Sequence, residues 1–135
     1  MRNKIFMALA KRLEAIPGIE TVSRRLEHWA DVSKERQPAL YMAPQSQTYT
    51  VAGRGMPPKR SLPVSLYLYC NNDDPSLMQD LLDAIEAALE PDEGEETLTL
   101  GGLVSHCRIE GQIETDEGLL GDQAVAIIPI SILVP

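Results

Sequence analysis

Ser105-His106-Cys107 is a run in this chain where a base sits between two potential nucleophiles. Nucleophilic chemistry needs such a base held against a hydroxyl or thiol, with a third group orienting it. A strand histidine bonded to a neighbour accounts for the same residues without catalysis, and that is the expectation here. The other histidine, His28, has no metal-ligand spacing to it. Cys70 and Cys107 lie far apart in strand-like runs and are expected as buried free thiols, although the sequence leaves a disulfide open. No CxxC pair or Cys/His cluster offers a zinc site.

Carboxylates give the second possible chemistry. Asp73-Asp74 has the oxygen donors of a hard-cation site, but a helix cap explains the pair with no ion. Asp92, Glu93, Glu95 and Glu96 lack the ligand spacing of a calcium loop and are expected to form a solvated turn. Gly53-Arg54-Gly55 is too short for a phosphate loop, and no GxSxG elbow occurs. Neither catalytic residues, nor a metal, nor a cofactor is therefore expected. The reading is of a protein that is not an enzyme.

The charge pattern carries more information. The 135 residues have a net charge of −8, but the two halves differ in sign. Residues 1–60 hold eleven Lys/Arg against five Asp/Glu, and residues 61–135 hold Arg108 alone against fifteen Asp/Glu. Phosphate would repel the chain as a whole, and no aromatic residues interleave with the arginines for base stacking, so nucleic-acid binding is a weak reading. Two readings of the asymmetry remain: a solvated surface, or self-complementarity between copies, which closes into a ring when the rotation permits.

The remaining composition points to one ordered domain over 1–135, with 44% apolar residues. No apolar run is long enough to cross a bilayer, and the charged, periodic N-terminus does not have the pattern of an export signal. Helical spacing of Ile5, Phe6, Leu9, Leu13 and Ile16 predicts a helix from about Asn3 to Ile16, stopped by Pro17-Gly18. "IETVSRRL" predicts a strand, and "ALYMA" a second one ending at Pro44. Residues 44–61, rich in proline and glycine and carrying Arg54, Lys59 and Arg60, are expected to form a projecting hairpin or an arm ordered on a partner. "PVSLYLYC" alternates, placing Val64, Leu66, Leu68 and Cys70 on one face.

A second helix follows, capped by Asp74, with Pro75 at its first position and a stripe from Leu77 to Leu89. Residues 97–118 predict one or two strands broken near Gly101-Gly102. "DQAVAIIPISILV" is the last strand, and Pro129 inside it predicts an edge or a bulge. The fold class is therefore α+β: two helices packed on one face of a mainly antiparallel sheet. Trp29, the sole tryptophan, sits in a charged connector. It either folds back over its own core or serves as a contact hot spot.

The order of these elements resembles a known family. "IPGIETVSRR", then Trp29-x-Asp31, then "QPALYM", then "LTLGGLVSHCRIEGQI", the acidic "ETDEGLLGDQA" and "VAIIPISILVP" are similar to small tail terminator proteins of long-tailed bacteriophages, also called tail completion or minor tail proteins. The similarity spans nearly the whole chain as turn and strand patterns. It implies a homo-oligomeric ring, six-membered in the family, at the head-proximal end of the tail tube. Such a ring ends tube polymerisation and receives the head connector. It also implies assembly in the bacterial host cytoplasm and a place in the virion tail, with no membrane and only non-specific proximity to DNA in the lumen.

Alternatives are another head–tail joining protein, such as a head-completion or connector adaptor, or a cellular α+β binding module. Contact residues expected on this reading are Arg24, Arg25, Trp29 and Asp31 in the connector, Arg54, Lys59 and Arg60 in the arm, and Glu114, Asp116, Glu117 and Asp122 in an acidic turn.

Overall fold

Residues 123–134 alternate strictly between one buried and one partly exposed side chain, and this strand becomes the spine of the molecule. The computed structural model describes residues 1–71, 75–120 and 123–135. In chain order these give α1 (Arg2–Glu14), β1 (Thr21–Ser23), β2 (Ala39–Pro44), β3 (Thr48–Thr50), β4 (Lys59–Ser61), β5 (Val64–Asn71), α2 (Pro75–Ala88), β6 (His106–Ile109), β7 (Glu114–Leu120) and β8 (Gln123–Val134). The expected α+β class is what the chain adopts. β1 pairs in parallel with β2, and every other pairing is antiparallel.

β2–β3 and β4–β5 form one long bent hairpin, with Pro44 opposite Val64 and Thr48 opposite Ser61. β8 lies against β5 and β4 on one side and against β7 and β6 on the other. It is therefore central, and the edge position expected from Pro129 is corrected. Backbone geometry supplies the reason. Leu62 N–H donates to Ile132 O at 2.8 Å, while Ser105 and Glu110 N–H donate to Leu133 O and Pro129 O at 2.7 and 3.1 Å. Odd-numbered backbone groups thus face β6 and β7. The N–H that proline lacks would point at residues 110–113, between those two strands, where the ladder is interrupted.

Both helices cover the same sheet face. Ile5, Leu9 and Leu13 of α1 and Met78, Leu81 and Ile85 of α2 join Leu66, Leu68, Ile128, Ile130 and Ile132 in one core. α1 ends at Glu14, with Ile16 buried just beyond it, two residues short of the expected end. The Asp74 cap and Asp73 lie outside the described residues. Residues 97–105 are turn, not strand: Leu100, Gly101 and Gly102 all have φ between 52° and 87°, a left-handed run that cannot join a ladder. Likewise Glu114 and Asp116 belong to β7 and not to an acidic turn, because residues 114–116 pair with 125–127 of β8.

One arginine ties the two helices together. The last turn of α2 has no basic side chain to offset its C-terminal dipole. Arg12 of α1 supplies that charge, donating to Ala88 O, to Glu90 O at 3.2 Å and to the Asp92 carboxylate at 2.9 Å. Arg12→Ala is expected to lower unfolding stability by about 1–3 kcal/mol, the range for charged donors to otherwise unsatisfied helix-end carbonyls. Urea denaturation measures it; an unchanged midpoint would remove the role.

Candidate assembly surfaces

The expected contact residues separate onto different parts of the molecule. Arg24 and Arg25 follow β1, which has no strand beyond it among the described residues. Arg24 donates to Asn3 Oδ1 at 2.7 Å, and its guanidinium carbon lies 5.8 Å from the centre of the Phe6 ring. Arg25 and Asp31 line a common polar groove of about 520 Å³ with Ser23, Leu26, Glu27 and His28. These two expected residues are therefore brought together.

Trp29 opens a 3-10 turn over Trp29–Asp31 and is half-buried. Its indole packs on Val32, Ala39, Tyr41 and Tyr69, a small apolar cluster on the sheet face away from the helices. The first of the two readings, an indole folded over its own core, is thus present. His28 stacks beside it at 5.3 Å between ring centroids.

That cluster is held by a polar network the sequence did not reveal. Tyr41 donates to the Glu27 carboxylate at 3.2 Å, and Tyr69 donates to the Glu27 carbonyl at 3.0 Å. Arg36 forks onto both Glu27 carboxylate oxygens, one of them at 3.3 Å, and reaches the Tyr41 hydroxyl at 3.1 Å. The arginine hydrogen bond holds the Glu27 carboxyl below its usual range, and burial pushes the Tyr41 phenol up. Alternation along "SLYLY" puts Tyr67 and Tyr69 on the face away from the helices, but nothing local pairs Glu27 with Arg36.

The arm is a hairpin, one of the two forms expected. β3 and β4 pair, and Met56 N–H closes its tip on Gly53 O at 3.2 Å. Arg54 and Lys59 are exposed and make no ion pair or side-chain hydrogen bond among the described residues. Arg60 lies beside Tyr49, whose phenol is held below its usual range chiefly by Arg2 and then by Arg60. Arg2, which no motif in the sequence singles out, anchors the arm by donating to Gln47 Oε1 at 2.7 Å and to the Tyr49 hydroxyl. A continuous basic flank therefore runs from Arg24 through α1's first turn to the arm.

The acidic residues lie at the other side of the sheet. Glu114, Asp116 and Glu117 are on β7, with β8, β5 and β2 between them and β1. Asp122 lies outside the described residues.

His106 bonds a neighbour across the ladder, its Nε2 lying 3.1 Å from Ser131 Oγ. Burial pushes the imidazole down. Arg108, at 3.0 Å, and then the Ser131 hydroxyl hold the Glu110 carboxyl down. Cys70 and Cys107 are both buried and form no disulfide among the described residues, as expected, and burial pushes the Cys107 thiol up to about 12. Among the described residues no group of three or more His, Cys, Asp or Glu could hold a metal ion, and no helix is long and apolar enough to cross a membrane. No protein-family model and no curated protein matches the chain.

Two outcomes follow from these environments. Because the Glu27 carboxyl is lowered in the folded state, its contribution is present above the unfolded value near 4.5 and is lost as pH falls through the folded one. Glu27→Gln should therefore flatten the acid limb of the stability–pH curve and leave its shape above neutrality unchanged, which thermal melts from pH 3 to 8 would read. Both thiols should resist a thiol-reactive dye at pH 8 until denaturant is added; rapid native labelling would contradict their burial.

Proposed function

We propose that this chain is a structural assembly subunit, a tail terminator of the kind found in long-tailed bacteriophages. In that role it forms a homo-oligomeric ring on the head-proximal end of the tail tube. The observation that carries the reading is the placement of opposite charge at opposite margins of one sheet. Arg24 and Arg25 adjoin the open edge of β1, and Glu114 and Asp116 lie on β7, whose outer side has no strand neighbour among the described residues. A contact between two unlike surfaces of identical subunits is heterologous and propagates around a closed circle when the rotation allows. Complementary charge sets the orientation and speeds encounter, while apolar contact supplies most of the affinity. The phage setting, the tube and head-connector partners and the termination role rest on the resemblance in sequence pattern. A ring that matches the tube end but presents no further tube-like face would block the next tube ring.

Electron microscopy of tails assembled without this protein tests the reading. Tubes of unregulated length are expected; tails of normal length lacking heads would instead indicate a head–tail joining protein. In solution, Arg24→Glu with Arg25→Glu should shift the assembled protein toward monomer by light scattering, and unaltered assembly would remove those arginines from the contact.

A further inference from the structure

The arm carries an unusual combination of exposed groups. Tyr49, Val51 and Met56 are 54%, 65% and 56% exposed, beside the three basic residues Arg54, Lys59 and Arg60. No acidic residue occurs between Glu35 and Asp73 to balance them. Methionine, tyrosine and arginine side by side are the composition of a contact surface and not of a solvated loop. The hairpin base is fixed by the pairing of Arg60 and Ser61 with Val134 and Leu133 and by the Arg2–Tyr49 contact. Its tip therefore projects from a held base.

A complementary surface lies elsewhere on the chain. Glu86, Leu89, Glu90, Pro91, Ile109 and Ile113 line a groove of about 430 Å³ where the end of α2 meets the turn joining β6 to β7. Its floor is apolar, with Ile113 41% exposed, and both charged residues on its margin are acidic. α2 carries no Lys or Arg, so nothing on that helix screens the two glutamates. The exposed tip and the exposed Ile113 show that the two surfaces do not meet within one copy.

We infer that the β3–β4 hairpin of one copy inserts Val51 and Met56 into the α2/β6–β7 groove of a second copy, with Arg54 and Lys59 facing Glu86 and Glu90. The inference rests on the self-assembly reading above and names the contact that would hold it. Arm and groove are unlike surfaces of the same chain, so each copy offers one of each. That lets the contact pass head to tail from copy to copy, as a closed ring requires.

Charge exchange tests the contact. The Arg54 and Lys59 side chains make no ion pair or hydrogen bond among the described residues, and the Glu86 and Glu90 side chains are exposed, so reversing them should leave the fold intact, checked by circular dichroism. Arg54→Glu with Lys59→Glu, and separately Glu86→Lys with Glu90→Lys, should each raise the self-dissociation constant about tenfold or more, read by light scattering across a concentration series. A chain carrying all four changes should regain assembly, because the charges again oppose each other. Assembly that survives either reversal, or a four-fold variant that does not recover, overturns the arm–groove contact and leaves self-assembly standing. Wild-type protein that is monomeric at every concentration overturns both.

Discussion

The register of β8 is the constraint from which the other features follow. Ala124, Ala126, Ile128, Ile130, Ile132 and Val134 all point to the helix side and are all buried. A slip of one residue would turn the six outward together. With that register set, β4 and β5 take one side of the strand and β6 and β7 the other, so both margins of the sheet are decided. Pro129 marks the seam between β6 and β7 and lets a proline sit in a central strand without an unmatched partner. Gly111 passes close to that proline: a Cβ there would lie 3.2 Å from its ring, at a φ of 116° that favours glycine.

A few polar ties set the periphery against this frame. Arg12 joins the helix ends, Glu27 with Arg36 and the two tyrosines fastens the connector, and Arg2 holds the base of the arm. Each uses a long or amphipathic side chain that spans elements distant in sequence. Together they divide the basic half into two groups. Arg2, Arg12 and Arg36 are engaged within the fold, whereas Arg54 and Lys59 project without partners among the described residues. A charge imbalance visible in the sequence thus becomes a spatial one. The fold spends part of it internally and displays the remainder at one flank and on the arm, opposite the carboxylates of β7.

Much of the architecture was legible because apolar periodicity reports directly on burial. The stripe of Ile5, Leu9 and Leu13, the alternation of Val64 to Cys70 and that of the last strand each named the face that is buried. For 44–61 the sequence left a hairpin and a partner-ordered arm both open, and the pairing of β3 with β4 decided for the hairpin. Strand order did not follow. Pro129 points to an edge only if a ladder bond is due on its N–H side, and that depends on where β6 and β7 break. The same limit applies to Glu114 and Asp116: acidic residues disfavour strands, but the open ladder of β8 recruits them.

Local pattern and composition were enough for the α+β class, the helix faces and the sign of charge in each half, whereas the thiol state of Cys70 and Cys107 needed the structure. Tertiary structure alone decided that β8 is central, that Trp29 covers the far face of its own sheet, and that the basic and acidic groups stand at opposite margins. These depend on pairings between residues tens of positions apart. No local periodicity encodes such pairings, because the free energy that selects them comes from burying all the faces at once.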